Sequence, residues 1–273
     1  MPLLAALLGG CSATGLANAL TPAGDTLVRR DLAYGPHARH RLDLYVPPEK
    51  LAAPLVVFFH GGGWRSGGRG EYAFIARVLA ARGMAVAVPD YRLWPEARWP
   101  DFNEDAARAV TWLSATSDMP RGPMFVMGHS AGGFLAASLA LDPRWLGAPA
   151  RASLAGGVLL ATPISWQPLD EPSRSIFTPA PGGRIEAAPD AAMLAGAPPM
   201  LLLHGEADTV VLPQHSVNLA AGLTRAGRIA RLRTYPGMGH VGVLSAMAAP
   251  VRALGLQGAP VLEEVVRFVV GGA

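Results

Sequence analysis

The sequence predicts an α/β fold built on a mostly parallel central sheet flanked by helices, and three observations carry that prediction. Continuous apolar runs of buried-strand type recur at Leu55–Phe59, Met84–Val88, Met124–Met127, Gly156–Ala161 and Met200–Leu203. Segments with apolar side chains at helical spacing lie between them, including Tyr72, Ile75, Val78 and Leu79, then a helix expected over about 101–113. Finally, the run at 124–127 breaks at Gly128-His129-Ser130-Ala131-Gly132 and resumes as Phe134-Leu135-Ala136, which reads as strand, sharp turn, helix. Strands that alternate with helices in this way pair in parallel through right-handed crossovers, and a ligand site then lies at the carboxyl ends of the strands.

The elements follow in order. Residues 26–46 read as a hairpin of edge strands, with Thr26-Leu27-Val28 and Arg41 to Val46 joined around Gly35-Pro36. The strand at 55–59 runs directly into His60-Gly61-Gly62-Gly63-Trp64, whose glycines leave backbone N–H groups unshielded and able to face a developing negative charge. The strand at 84–88 leads into the proline-bounded Pro89-Asp90-Tyr91-Arg92-Leu93-Trp94-Pro95. Between the strands at 156–161 and 200–203, hydrophobicity drops and prolines interrupt any long helix, so about 164–197 is expected to be a small cap-like insertion over the strand ends. The last strand, Ala230 to Tyr235, precedes Pro236-Gly237-Met238-Gly239-His240.

A chain of 273 residues, 51% hydrophobic and 16% charged, with no polar linker across its middle, suits one domain over 25–273 with a two-sided core. Its net charge of +3 comes almost wholly from arginines dispersed along the chain, so no nucleic-acid-binding patch is expected. Residues 1–24 read as a leader and tether. The run Leu3-Leu4-Ala5-Ala6-Leu7-Leu8-Gly9-Gly10-Cys11 resembles a bacterial lipoprotein signal, which would put a lipid on Cys11 and the protein in the cell envelope, attached to a membrane. The run is too short to span a bilayer, which takes about 20 apolar residues. Read otherwise, Cys11 is an inert thiol and the chain is cytoplasmic. As the sole cysteine it has no disulfide partner within the chain.

At the apex of the 128–132 turn, Ser130 is the candidate nucleophile, and a serine hydroxyl needs a base and an acid behind it. In the α/β-hydrolase arrangement the chain order is serine, acid, histidine, which leaves His204, His215 and His240. His204 would precede the acid, and His215 falls at a helix start. His240, on a glycine loop at the carboxyl end of a strand, is the candidate base. Asp208 is the candidate acid, with Glu206 a nearby rival and Asp170 and Asp190 remote ones. His129, inside the turn, reads as a packing or site-lining residue.

Together, His60-Gly61-Gly62-Gly63-Trp64, Asp90-Tyr91-Arg92-Leu93 with Pro95-Glu96, Gly128-His129-Ser130-Ala131-Gly132, His204-Gly205-Glu206-Ala207-Asp208 and Gly239-His240 resemble the esterase/lipase branch of the α/β-hydrolase superfamily. More narrowly, they resemble its feruloyl/acetyl-xylan esterase and kynurenine formamidase-like group. The resemblance covers about residues 38–270. It implies an α/β-hydrolase fold, a triad of Ser130, Asp208 and His240, and an oxyanion hole made by the amides of Gly62, Gly63 and Ala131. It also implies a hydrolase of small-molecule esters that works without a cofactor or metal. An amidase or peptidase using the same triad, or a non-catalytic lipid-anchored binding protein on the same fold, remains the alternative.

Overall fold

The computed structural model describes residues 13–48, 52–164, 171–177 and 190–271. Cys11 and Asp170 therefore lie outside the described residues, as do parts of the expected insertion. Eight strands among the described residues form one sheet in the order β1-β2-β4-β3-β5-β6-β7-β8. They are β1 (Leu27–Ala33), β2 (Arg41–Val46), β3 (Leu55–Phe59), β4 (Ala85–Pro89), β5 (Met124–His129), β6 (Leu154–Leu160), β7 (Met200–Gly205) and β8 (Ala230–Tyr235). From β4 across to β8 every pairing is parallel, whereas β1–β2 and β2–β4 are antiparallel. The hairpin expected at 26–46 is present, but only β1 is an edge. β2 is covered on both sides because its residues 42–45 pair with β4.

Strand composition explains the layering. β3 reads Leu-Val-Val-Phe-Phe and is buried throughout. Its alternate side chains enter different cores, Leu55, Val57 and Phe59 on one face of the sheet and Val56 and Phe58 on the other, as the two-residue period of a strand requires. The first face is covered by α3 (Asp101–Ala115), α4 (Ala131–Leu141) and α8 (Gln214–Arg225), the second by α2 (Ala73–Ala80) and α11 (Val261–Val270). α11 is amphipathic, burying Val261, Leu262, Val265, Phe268 and Val269, with Glu263 and Glu264 in its first turn where the helix dipole favours acids. By contrast, α4 is apolar almost all round and buried over ten of its eleven residues, which suits a helix at the centre of the molecule.

The remaining helices are short. α5 (Ala148–Ala152) precedes β6, α6 (Ser173–Phe177) and α7 (Ala191–Ala195) belong to the insertion before β7, and α9 (Gly242–Ser245) and α10 (Ala249–Ala253) follow β8. α6 is held by Trp99 N–H donating to Ile176 O at 2.9 Å and by the Phe177 ring standing edge-on to Trp64. Residues 13–20 form α1 (Ala13–Leu20), which is pinned to the body by its own Asn18 and by Arg77, whose guanidinium donates to Asn18 O at 2.8 Å. Asn18 donates to the carbonyls of Gly70 and Glu71 at 2.8 and 3.1 Å and accepts from Phe74 N–H at 2.7 Å.

Candidate active site

At the end of β5 the chain must reverse into α4 within one residue. Ser130 takes that turn at φ 54° and ψ −120°, a region costly for any residue with a Cβ. The turn is possible because a glycine stands two residues to either side of Ser130, at 128 and 132. A Cβ on Gly128 would stand 2.2 Å from Gly132 O, and one on Gly132 would stand 2.0 Å from Phe59 O. Strand, turn and helix are thus packed backbone to backbone, and the Ser130 hydroxyl is left as the group that projects.

That hydroxyl donates to His240 Nε2 at 2.9 Å, and His240 Nδ1–H donates to Asp208 Oδ2 at 2.7 Å. The other Asp208 oxygen accepts the backbone N–H groups of Val210 and Val211, both at 2.9 Å. Burial by itself would raise the Asp208 carboxyl, but the bonds from Val211, His240 and Val210 outweigh it and hold the group below the usual carboxylate range. It is therefore an anion at neutral pH, buried and aimed at one imidazole nitrogen.

The other candidate residues have different roles. His215 sits on α8 with Nδ1 against the Ile164 backbone, lining the cavity beside Ser130 without bonding to it. Glu206 accepts from the Thr234 hydroxyl at 2.7 Å. Asp190 caps α7 by accepting from Met193 N–H. His204 lies beneath Asp208: its Nε2–H donates to Val211 O at 2.8 Å and passes 3.2 Å from Asp208 Oδ2, while Nδ1 accepts from the Ser216 hydroxyl at 2.7 Å. Burial lowers its pKa, so it supports the acid as a neutral ring. His129 is also buried, and its pKa is pushed down to about 4 by that burial and by His240. Its Nε2–H donates to the His240 carbonyl at 3.0 Å, which ties the loop of the candidate base to the turn of the candidate nucleophile. Its position directly before Ser130 was the one sequence signal for this brace.

The glycine loop after β3 faces the same turn. Gly62 has φ 119° and Gly63 φ 60°, and a Cβ on Gly62 would lie 2.2 Å from Ser66 O. The Gly62 carbonyl is engaged by Arg65 and Ser66 N–H, whereas the N–H groups of Gly62 and Gly63 bond to none of the described residues. Ala131 N–H opens α4 and, as a first-turn amide, has no partner within the helix. The loop is anchored from behind. Tyr91 O–H donates to His60 O at 2.9 Å, and Arg39 donates to Tyr91 O at 2.7 Å and Gly67 O at 2.9 Å. Arg69 N–H donates to Asp90 Oδ1 at 2.6 Å. The Asp90-Tyr91 pair is therefore the buttress of the glycine loop, a role that sequence alone did not disclose. A cavity of about 270 Å³ opens above Ser130, lined by Gly63, Trp64, Pro163, Ile176, Val211 and His215 among others. The described residues hold no cluster of His, Cys, Asp and Glu able to bind a metal.

Residues 56–180 match a family model described as the alpha/beta hydrolase fold. Over that stretch the chain carries the α/β-hydrolase fold. The chain is 30% identical, over 242 residues, to a probable isoprenylcysteine alpha-carbonyl methylesterase of Oryza sativa, covering 79% of this chain and 58% of that one. It is 29% identical over 240 residues to the esterase LipC of Mycobacterium tuberculosis, covering 78% and 59%. Both relatives carry esterase names, and the chain spans under three fifths of the length of both. Among solved structures, it superposes on a truncated carbohydrate esterase from gut microbiota with a TM-score of 0.76 at 22% identity, covering 92% of this chain and 98% of that one. A thermophilic esterase of Thermogutta terrifontis with propionate bound gives 0.71 at 25% identity, covering 92% and 95%.

Proposed function

We propose that this chain is a carboxylic ester hydrolase that works through an acyl-enzyme intermediate. One observation carries the reading: the continuous relay from the Ser130 hydroxyl through His240 to a buried Asp208 carboxylate, at 2.9 and 2.7 Å, under an open cavity. In this mechanism Ser130 Oγ attacks the ester carbonyl while His240 Nε2 takes its proton, and Asp208 stabilises the imidazolium through Nδ1–H. The amides of Gly62, Gly63 and Ala131 receive the negative charge on the carbonyl oxygen. His240 returns the proton to the departing alcohol, whose C–O bond breaks to leave the acyl group on Ser130. Water then enters, gives its proton to His240 and attacks the acyl carbon, and the Ser130–acyl bond breaks to release the acid and restore the serine.

The relatives named as a methylesterase and a carbohydrate esterase support ester over amide substrates. The narrower assignment to the feruloyl/acetyl-xylan esterase and kynurenine formamidase-like group belongs to this proposal too, as does attachment to the cell envelope through a lipid on Cys11. Residues 1–24 then act as leader and tether for a hydrolase domain over 25–273. The activity is tested with nitrophenyl esters and matching anilides of graded acyl length, on the native chain and Ser130→Ala. Turnover of esters but not anilides, reduced in the variant by roughly 10⁴ to 10⁶, is the expected result. Equal turnover by the variant would overturn it. Anchoring is checked by whether Cys11→Ser moves the protein out of the membrane fraction.

A further inference from the structure

Large apolar side chains are exposed unevenly on this molecule. Five of them, Leu16 (44% exposed), Leu20 (54%), Val241 (58%), Leu254 (72%) and Leu256 (69%), converge on a single groove of about 340 Å³ between α1 and the segment that runs through α9 and α10. Phe74 forms part of its floor, and among the described residues no charged side chain lines it. Isolated exposed leucines are ordinary on a protein surface, but a contiguous set rimming an uncharged trough marks a surface that meets something apolar.

We propose that this groove is a docking face for a lipid bilayer. Two features favour a bilayer over a second protein. First, the sequence that leads into α1 is apolar. Residues 1–12 carry no charge, the first charged residue in the sequence is Asp25, and the stretch enters α1, whose exposed Leu16 and Leu20 form one wall of the groove. Second, Leu254 and Leu256 are well over half exposed on the rim, which suits insertion into a fluid acyl boundary, where no shape-matched partner is required. No acidic residue among the lining opposes an anionic leaflet, and the net charge of +3 is of the favourable sign.

Val241 directly follows His240, so a bilayer seated in the groove would hold the loop of the candidate base, and with it the carboxyl ends of the strands, at the lipid surface. Esters dissolved in the lipid would then reach the Ser130 cavity without crossing bulk water. The docking itself does not depend on the hydrolase reading, and its test needs no turnover.

The test is flotation of the full chain with vesicles of mixed phosphatidylcholine and phosphatidylglycerol. It compares the native sequence with the Leu254→Asp/Leu256→Asp pair and with the Leu16→Asp/Leu20→Asp pair, each also in a Cys11→Ser background. Circular dichroism checks folding. The native chain should float with the vesicles, and each aspartate pair should lower the bound fraction about tenfold or more with either residue at position 11, because a carboxylate resists entry into the acyl boundary. Hydrolysis of a short soluble ester should be unchanged by the Leu254/Leu256 pair. Failure of the native chain to float, flotation of both pairs like the native chain, or binding lost only with Cys11→Ser would each overturn the proposal. So would a soluble dimer that the aspartate pairs dissociate, which would identify the groove's occupant as a second copy.

Discussion

Ser130 is held at φ 54° by close backbone contact on both sides of its turn, a conformation that costs an L-residue on the order of 1–3 kcal/mol. The surrounding packing maintains it, and the result is a hydroxyl aligned with one imidazole nitrogen. His240 and His215 both lie near the cavity, but only His240 has Ser130 on one nitrogen and a carboxylate on the other. We therefore expect His240→Ala to abolish ester hydrolysis and His215→Ala to cost no more than about tenfold. Asp208→Asn should lose up to about 10⁴ in kcat, because the amide no longer fixes the proton on Nδ1. Glu206→Gln should be far milder, since that carboxylate is engaged by Thr234. The check is kcat for the four variants on one nitrophenyl ester with circular dichroism as the folding control, and a larger loss at His215 than at His240 would reverse the assignment. Ser130, Asp208 and His240 were legible in the sequence because each sits in a glycine-containing turn or loop at the carboxyl end of a strand. His129 and His204 were present in the same signatures, but their bracing roles depend on partners that the local pattern does not name.

At the scale of elements, the loop after β4 is locked to α3 and to His40, the residue before β2, through one buried carboxylate. Asp105, 1% exposed on α3, accepts a two-pronged contact from Arg92 at 2.9 and 2.8 Å, the Arg92 backbone N–H at 2.9 Å, and His40 Nε2 at 2.9 Å. This loop also carries Tyr91, which anchors the glycine loop through His60. Removing one partner of a buried ion pair leaves an uncompensated charge, so Arg92→Ala should destabilise the fold by about 3–5 kcal/mol. Arg92→Lys should recover only part of that, because an ammonium cannot reproduce the planar fork. Urea midpoints of the two variants decide it, and an unchanged midpoint for Arg92→Ala would show that the network adds nothing. The strands were readable in the sequence, down to β8 at 230–235, as were α2, α3, α4 and the start of α8, whereas the remaining helices were not placed. This network was not, because His40 and Asp105 lie 65 residues apart and no local pattern links them. Interiority of β2 escaped for the same reason: its alternation fits a half-buried strand, and only the pairing with β4 takes it away from the edge.

Across the whole molecule, burial has left an unusual set of histidines neutral. His60 and His129 are pushed down to about 4, chiefly by burial, and His40 and His204 are lowered for the same first reason. In the unfolded chain each would titrate near 6.5. Below that value the unfolded state binds protons that the folded state refuses, so acid draws the equilibrium toward unfolding. The stability these groups confer is fully present above pH 6.5 and is lost as pH falls toward their folded values, for His60 and His129 down to about 4. Each contributes a slope of up to about 1.4 kcal/mol per pH unit within that window. Asp208, also depressed, acts later: its contribution is present above the ordinary carboxylate pKa and disappears only as pH falls through its lower folded value. Acid unfolding should therefore begin with the histidines. We expect the unfolding free energy from urea titrations to be level above neutrality and to fall steeply between pH 6.5 and 4. His129→Gln can keep a donor for the His240 carbonyl without a titrating ring, so it should flatten that slope by about 1.4 kcal/mol per pH unit even if it lowers the plateau. His60→Asn, which can still donate to Gly61 O as His60 Nδ1 does at 2.8 Å, should do the same. A slope equal to that of the native chain in both variants would mean that the acid sensitivity comes from carboxylates, and the burial argument for these two rings would fail.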